Sequence, residues 1–71
     1  MKTQKIQKAS IYHNGKRLDL EIEHHKTVTK VYIIDMSKYW SHIDTVRYKR
    51  PYKGNIELDT RDYCIAKGYF N

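Results

Sequence analysis

The chain has 71 residues, a length that suffices for one small domain. Its 14 basic and 8 acidic side chains give a formal net charge of +6. Apolar residues make up 39% of it, enough for a hydrophobic core and too many for wholesale disorder. No apolar run is long enough to cross a membrane, and the basic start is not followed by the apolar stretch of a secretory signal. The single cysteine, Cys64, excludes an internal disulfide.

These properties favour a single domain over residues 1–71 in the reducing cytoplasm, with no membrane partner. The positive charge favours an acidic partner, either nucleic acid or an acidic protein surface. A domain of this size buries only about 60% of its unfolded surface, so a homo-oligomer is a further expectation.

The dipeptide Asn14-Gly15 predicts a two-residue β-hairpin, because a type I′ turn needs positive φ at both central positions. The flanking strands are predicted at about 5–13 and 16–24, with Ile11 opposite Leu18. The same register gives one mostly apolar face and one charged face, whose pairs are Tyr12 with Arg17, Ser10 with Asp19 and Lys8 with Glu21.

A β-branched and aromatic run predicts a third strand at about 27–35. A loop at His25-Lys26 would place Leu20 opposite Val31 and Glu21 beside Lys30. The polar face of this three-stranded meander would then be self-neutralised, which argues against phosphate binding there. Its charged residues are Lys8, Arg17, Lys30, Asp19, Glu21 and Glu23.

Helical spacing predicts one helix over residues 37–48, capped by Ser37 and packed on the apolar face of the sheet. The residues of its apolar stripe are Met36, Tyr39, Trp40, Ile43 and Val46. The tail allows a short strand at Ile56, a last helix ended by Gly68, or both. The predicted fold class is therefore α+β: a three-stranded antiparallel β-meander, one helix, and a short C-terminal strand or helix.

Residues 47–53 form a basic-aromatic segment with four positive charges, two tyrosines and no acid. Lysine and arginine neutralise phosphates, while tyrosine rings stack on unpaired bases. The sequence thus predicts a small accessory protein that binds nucleic acid through this loop. The predicted contacts are Arg47, Tyr48, Lys49, Arg50, Tyr52 and Lys53. The structural alternative is a solvated connector whose tyrosines pack onto the core.

A second functional hypothesis is an inhibitor or adaptor of the kind that phages and mobile elements carry. It would bind a protein through a sheet edge or a tyrosine-rich surface. The outward residues Tyr12, Tyr32 and Ile34 are the candidates on this alternative.

The chain is not expected to be an enzyme, since no residues suggest a convergent catalytic site. Its histidines show no metal-ligand spacing, its three glycines are isolated, and Cys64 has no neighbouring base in sequence. No cofactor or metal is predicted, and Cys64 is predicted to be a small core residue.

Overall fold

The computed structural model describes residues 6–39 and 41–71, and there the chain is α+β, with one four-stranded antiparallel sheet and one α-helix. The strands follow one another in the order β1-β2-β3-β4. Their bounds are Ile6–His13 for β1, Lys16–His24 for β2, Val28–Asp35 for β3 and Ser41–Lys49 for β4, and the helix α1 spans Ile56–Lys67.

The first hairpin has the predicted register, with Ile11 opposite Leu18 and Ser10 opposite Asp19. Asn14 and Gly15 both adopt positive φ, at 54° and 75°, as a type I′ turn requires. The first turn therefore sets the faces of β1 and β2 as the sequence predicted.

The predicted register between β2 and β3 is wrong by two residues. Leu20 lies opposite Ile33 and Glu21 opposite Tyr32, because the turn is centred on Lys26-Thr27. It is closed by the N–H of His25, which donates to the carbonyl of Val28 at 2.8 Å. A shift by two residues preserves the alternation of a strand, so every side chain keeps its predicted face.

The predicted helix over 37–48 is wrong, because this segment contains a short 3₁₀ turn at Met36–Lys38 and then β4. Val46 pairs with Val31, and a bulge near Ile43 interrupts the ladder. The bulge lets Ile43 and Val46, three residues apart, both pack against the core. That spacing imitates a helical stripe. The predicted packing of Trp40 lies outside the described residues.

The C-terminal segment forms a helix and not a strand at Ile56. Asn55 caps it, since its side chain accepts the N–H of Leu58 at 3.0 Å. Gly68 ends it in the left-handed conformation, as predicted. The helix packs on the apolar face of the sheet, which we call the inner face. The buried apolar core consists of Ile11, Leu18, Leu20, Ile22, Val31, Ile33, Cys64 and Phe70.

The opposite, outer face of the sheet is not covered by helix α1. Strand β4 adds Arg47 and Lys49 to it, opposite Lys30 and Val28. The prediction of a self-neutralised outer face is therefore wrong, because it rested on three strands. Among the described residues this face has five cations, Lys8, Arg17, Lys30, Arg47 and Lys49, against three carboxylates, Asp19, Glu21 and Glu23.

Candidate nucleic-acid interface

The basic-aromatic segment is divided between the end of β4 and the connector to helix α1. Arg47 and Lys49 are exposed and, two residues apart on one strand, share the outer face. Lys53 is exposed on the connector. We call Lys30, Arg47, Lys49, Arg50 and Lys53 the cationic ridge.

Arg50 is anchored to the turn between β2 and β3. Its backbone N–H donates to the carbonyl of Thr27 at 3.0 Å, and its Nη1 donates to the carbonyl of His25 at 2.6 Å. A guanidinium carries five N–H donors, so one bond to a carbonyl fixes the group while most of its donors remain available. Arg50 is thus an exposed and pre-positioned cation.

Tyr48 and Tyr52 contact each other, with ring centroids 4.6 Å apart. Tyr48 is on the inner face and its hydroxyl hydrogen bonds with that of Thr60 at 2.7 Å. Burial raises the pKa of Tyr48. Tyr52 donates to Asp59, a hydrogen bond that raises the pKa of Tyr52 to about 12. Tyr52 keeps 37% of its residue surface exposed, so it is the more accessible of the two.

Glu23 is the carboxylate paired across the sheet with the ridge, lying opposite Lys30. It accepts from Nε2 of His25 at 2.7 Å and from the hydroxyl of Tyr32 at 3.0 Å. These two hydrogen bonds, first that of His25, lower the pKa of Glu23. Glu23 therefore stays ionised and offsets the charge of Lys30. Asp59, which accepts from Tyr52 beside the connector, is a further carboxylate here, and the five ridge cations outnumber these two.

A cleft of about 210 Å³ adjoins the ridge on the side of the connector. It is lined by His24, Thr29, Arg50, Pro51, Tyr52 and Ile56. Arg50 and Tyr52 thus belong both to the predicted segment and to this cleft, which we call the connector cleft. Nothing in the sequence associates His24 and Ile56 with these two residues, because the end of β2 and the start of α1 are brought together only by the fold.

The residues of the protein-binding hypothesis lie on the outer face. Tyr12 is 59% exposed, whereas Tyr32 and Ile34 are half-buried. Tyr32 packs edge-on against His42, with centroids 5.8 Å apart. Ile34 and Met36 contribute to a second cleft of about 220 Å³, whose polar lining includes Lys8, Ser10, Asp19 and Glu21.

Cys64 is buried, as predicted, and burial raises the pKa of its thiol to about 11. Within residues 6–39 and 41–71, no cluster of three or more His, Cys, Asp or Glu side chains could hold a metal ion. The same part of the chain contains no helix that is long and apolar enough to span a membrane.

Comparisons with protein-family models, curated proteins and solved structures found no match to this chain. Four of the five ridge cations belong to the segment 47–53 that the sequence predicted to bind nucleic acid, and that binding stays a prediction. The sequence does not associate Lys30 with that segment, because it predicts a helix over 37–48 where β4 lies. The alternation of Val46 and Tyr48 with Arg47 and Lys49 is the signal that favours a strand.

Proposed function

We propose that this protein binds nucleic acid through the cationic ridge, with phosphate contacts as the main source of affinity. The observation that carries the proposal is the concentration of Arg47, Lys49 and Arg50 at one end of the sheet, with Lys53 on the connector that follows. These cations and Lys30 outnumber the two carboxylates placed among them, Glu23 opposite Lys30 and Asp59 against Tyr52. Lysine and arginine side chains so placed displace condensed counterions from a phosphate backbone.

The arrangement also reduces the conformational entropy that the protein loses on binding. Arg47 and Lys49 project from a paired strand, and Arg50 is held by two hydrogen bonds to the β2–β3 turn. Their backbone is thus fixed before a ligand arrives, which reduces the entropy lost on association. Base stacking by Tyr48 and Tyr52 stays a prediction, and Tyr52 is the more exposed residue.

A salt titration tests the proposal. If four ridge cations each neutralise a phosphate of duplex DNA, log K falls with log salt at a slope of about −3 to −4. The double variant Arg47→Gln/Lys49→Gln should reduce the magnitude of that slope by about 2. The matched control is Lys8→Gln/Arg17→Gln, which removes the same charge from the other half of the outer face and should leave the slope nearly unchanged.

If both double variants reduced the slope equally, net charge alone would attract the nucleic acid, and the ridge would not be a binding site. Absence of binding to single-stranded and double-stranded DNA and RNA at low salt would reject nucleic acid as the partner.

A protein partner on the outer face is the second candidate function. It is favoured by the position of helix α1, which packs on the inner face and leaves exposed Tyr12 and the cleft at Ile34 accessible. The experiment is affinity capture after nuclease treatment. Tyr12→Ala should abolish a nuclease-resistant interaction, and Tyr39→Ala is the control, since Tyr39 is 98% exposed beyond the sheet.

A further inference from the structure

The connector cleft combines an apolar lining with polar groups in a way that suits a flat, polar-edged ring. Pro51, the ring of Tyr52 and Ile56 supply the apolar lining, and Arg50 supplies N–H donors. Its volume of about 210 Å³ lies below the roughly 300–1,000 Å³ of sites for drug-sized ligands. A cleft of this size is suited to one ring system rather than to a whole nucleotide.

The polar residues of the cleft are fixed by contacts within the protein. Nδ1 of His24 lies 3.1 Å from the hydroxyl of buried Thr29, and its Nε2 lies 2.6 Å from Oε1 of Gln7. The lining is therefore built before any ligand is bound.

Tyr52 is also held in place, by the ring of Tyr48 and by Asp59. An aromatic ring packed against a second ring and tethered at its hydroxyl has little freedom left to lose. Stacking a base on such a ring costs less than ordering a mobile side chain, and stacking is available to every base.

We propose that the connector cleft receives one unpaired nucleobase of a single-stranded nucleic acid whose phosphates lie on the cationic ridge. The inference rests on the proposed function and sharpens it. Arg50 and Tyr52 join the two sites, so a strand that contacts the ridge can present a base to the cleft. The guanidinium of Arg50 then donates to acceptors on the base edge, and Tyr52 contacts the ring. Paired bases are stacked within the duplex and do not reach the cleft.

Fluorescence anisotropy at low salt tests this with three probes of equal length: a single strand, the same strand with abasic residues throughout, and a duplex. Abasic residues keep the phosphates and remove the bases. We expect the abasic strand to bind about 5- to 150-fold more weakly than the intact strand, the range that base–aromatic stacking spans. Equal affinity for intact and abasic strands would reject base binding in the cleft but not phosphate binding on the ridge. Failure of all three probes to bind would reject the proposed function itself.

A cleft-filling variant provides a second measurement. Ile56→Phe enlarges a half-buried residue of the lining and should abolish the preference for intact single strand over abasic strand, with duplex binding unchanged. Ile65→Phe is the matched control, because Ile65 is exposed on the same helix and does not line the cleft. An Ile56→Phe protein that keeps the preference contradicts the proposal.

Should Ile56→Phe not fold, NMR on the unaltered protein decides the question. Titration with a nucleoside monophosphate should shift the ring resonances of His24 and Tyr52 before those of Tyr12 and Tyr39. Inorganic phosphate, as the comparison ligand, should shift ridge resonances alone. Shifts by the nucleotide that avoid His24 and Tyr52 would place the base elsewhere and reject the cleft.

Discussion

The hydroxyl of Tyr63 donates a hydrogen bond to Oδ2 of Asp44 at 2.6 Å, joining helix α1 to edge strand β4. The hydroxyl of Tyr69 donates to the same oxygen at 2.8 Å, and the N–H of Thr45 donates to Oδ1 at 2.7 Å. The two tyrosine hydrogen bonds, first that of Tyr63, hold the pKa of Asp44 below its ordinary value. One carboxylate on the inner face thus fixes both the helix and the turn that follows it.

Removal of the Tyr63 hydroxyl should destabilise the fold. We expect Tyr63→Phe to lower the free energy of unfolding by about 1–3 kcal/mol, because a hydrogen bond to a charged group is lost and Asp44 keeps its charge. Urea denaturation followed by circular dichroism measures the change. Tyr39→Phe is the control, since Tyr39 is 98% exposed, and should change stability by less than about 0.5 kcal/mol. Equal effects of the two substitutions would refute the role of the Asp44 bond.

Stability should fall in acid, through Asp35 and Asp44. The pKa of each is below its ordinary value: in Asp35 chiefly through the Ser37 hydroxyl at 2.6 Å, and in Asp44 through its tyrosines. A depressed folded-state pKa gives stability that is present above the unfolded-state pKa of about 4 and is lost as pH falls toward the folded-state pKa. Urea midpoints measured between pH 7 and pH 2 should therefore decline below about pH 4. The variant Asp44→Asn should show a smaller decline, and an identical pH profile would contradict this assignment.

The ion pair between Lys16 and Asp35 should matter more than a surface pair. Nζ of Lys16 lies 3.2 Å from Oδ2 of Asp35, whose side chain is 2% exposed. We expect Lys16→Met to destabilise the protein by about 1–3 kcal/mol, because it leaves a buried carboxylate without its cation. Arg17→Met is the matched control, as Arg17 is itself half-exposed in its ion pair with Asp19 and surface pairs contribute about 0–1 kcal/mol. Urea denaturation in low and high salt compares the two variants. A larger loss of stability in Arg17→Met than in Lys16→Met would contradict the prediction.

The contrast between the first hairpin and β4 shows what the sequence could predict. Asn14-Gly15 specifies its turn locally, so the pairing of Ile11 with Leu18 followed from the residues alone. In β4 the inner position after the bulge is Asp44, a polar residue that masks the alternation. On the inner face its carboxylate accepts from Tyr63 and Tyr69, which lie far along the chain, and only the folded structure brings them to it.

The candidate site, too, could be predicted from the sequence only in part. Sequence composition identified the cations of residues 47–53, because charge is a local property. It did not reveal that Arg50 contacts the carbonyl of His25, nor that Tyr52 contacts Asp59, since both contacts depend on how β4 and α1 are placed. The connector cleft arises from those contacts and has no sequence signature.

Gly54 should control the position of Tyr52. A Cβ at Gly54 would lie 2.5 Å from Oδ2 of Asp59 and 2.9 Å from the hydroxyl of Tyr52, so Gly54→Ala should push these side chains apart. The pKa of Tyr52, raised to about 12 chiefly by the Asp59 hydrogen bond, should then fall toward the ordinary value of about 10. Ultraviolet titration of tyrosinate measures this.

The pKa of Tyr52 also determines how the stability of the fold changes with pH, because folding and proton binding are linked. A raised folded-state pKa gives stability that is fully present below the unfolded-state pKa of about 10 and is lost as pH rises through about 12. Gly54→Ala should therefore flatten the alkaline decline in stability. Gly15→Ala is the matched control, because a Cβ there meets nothing within 4 Å and acts only through its φ of 75°. It should cost about 1–2 kcal/mol at every pH without changing the tyrosine titration. A Tyr52 pKa unaltered in Gly54→Ala would show that the Asp59 contact survives the added methyl group.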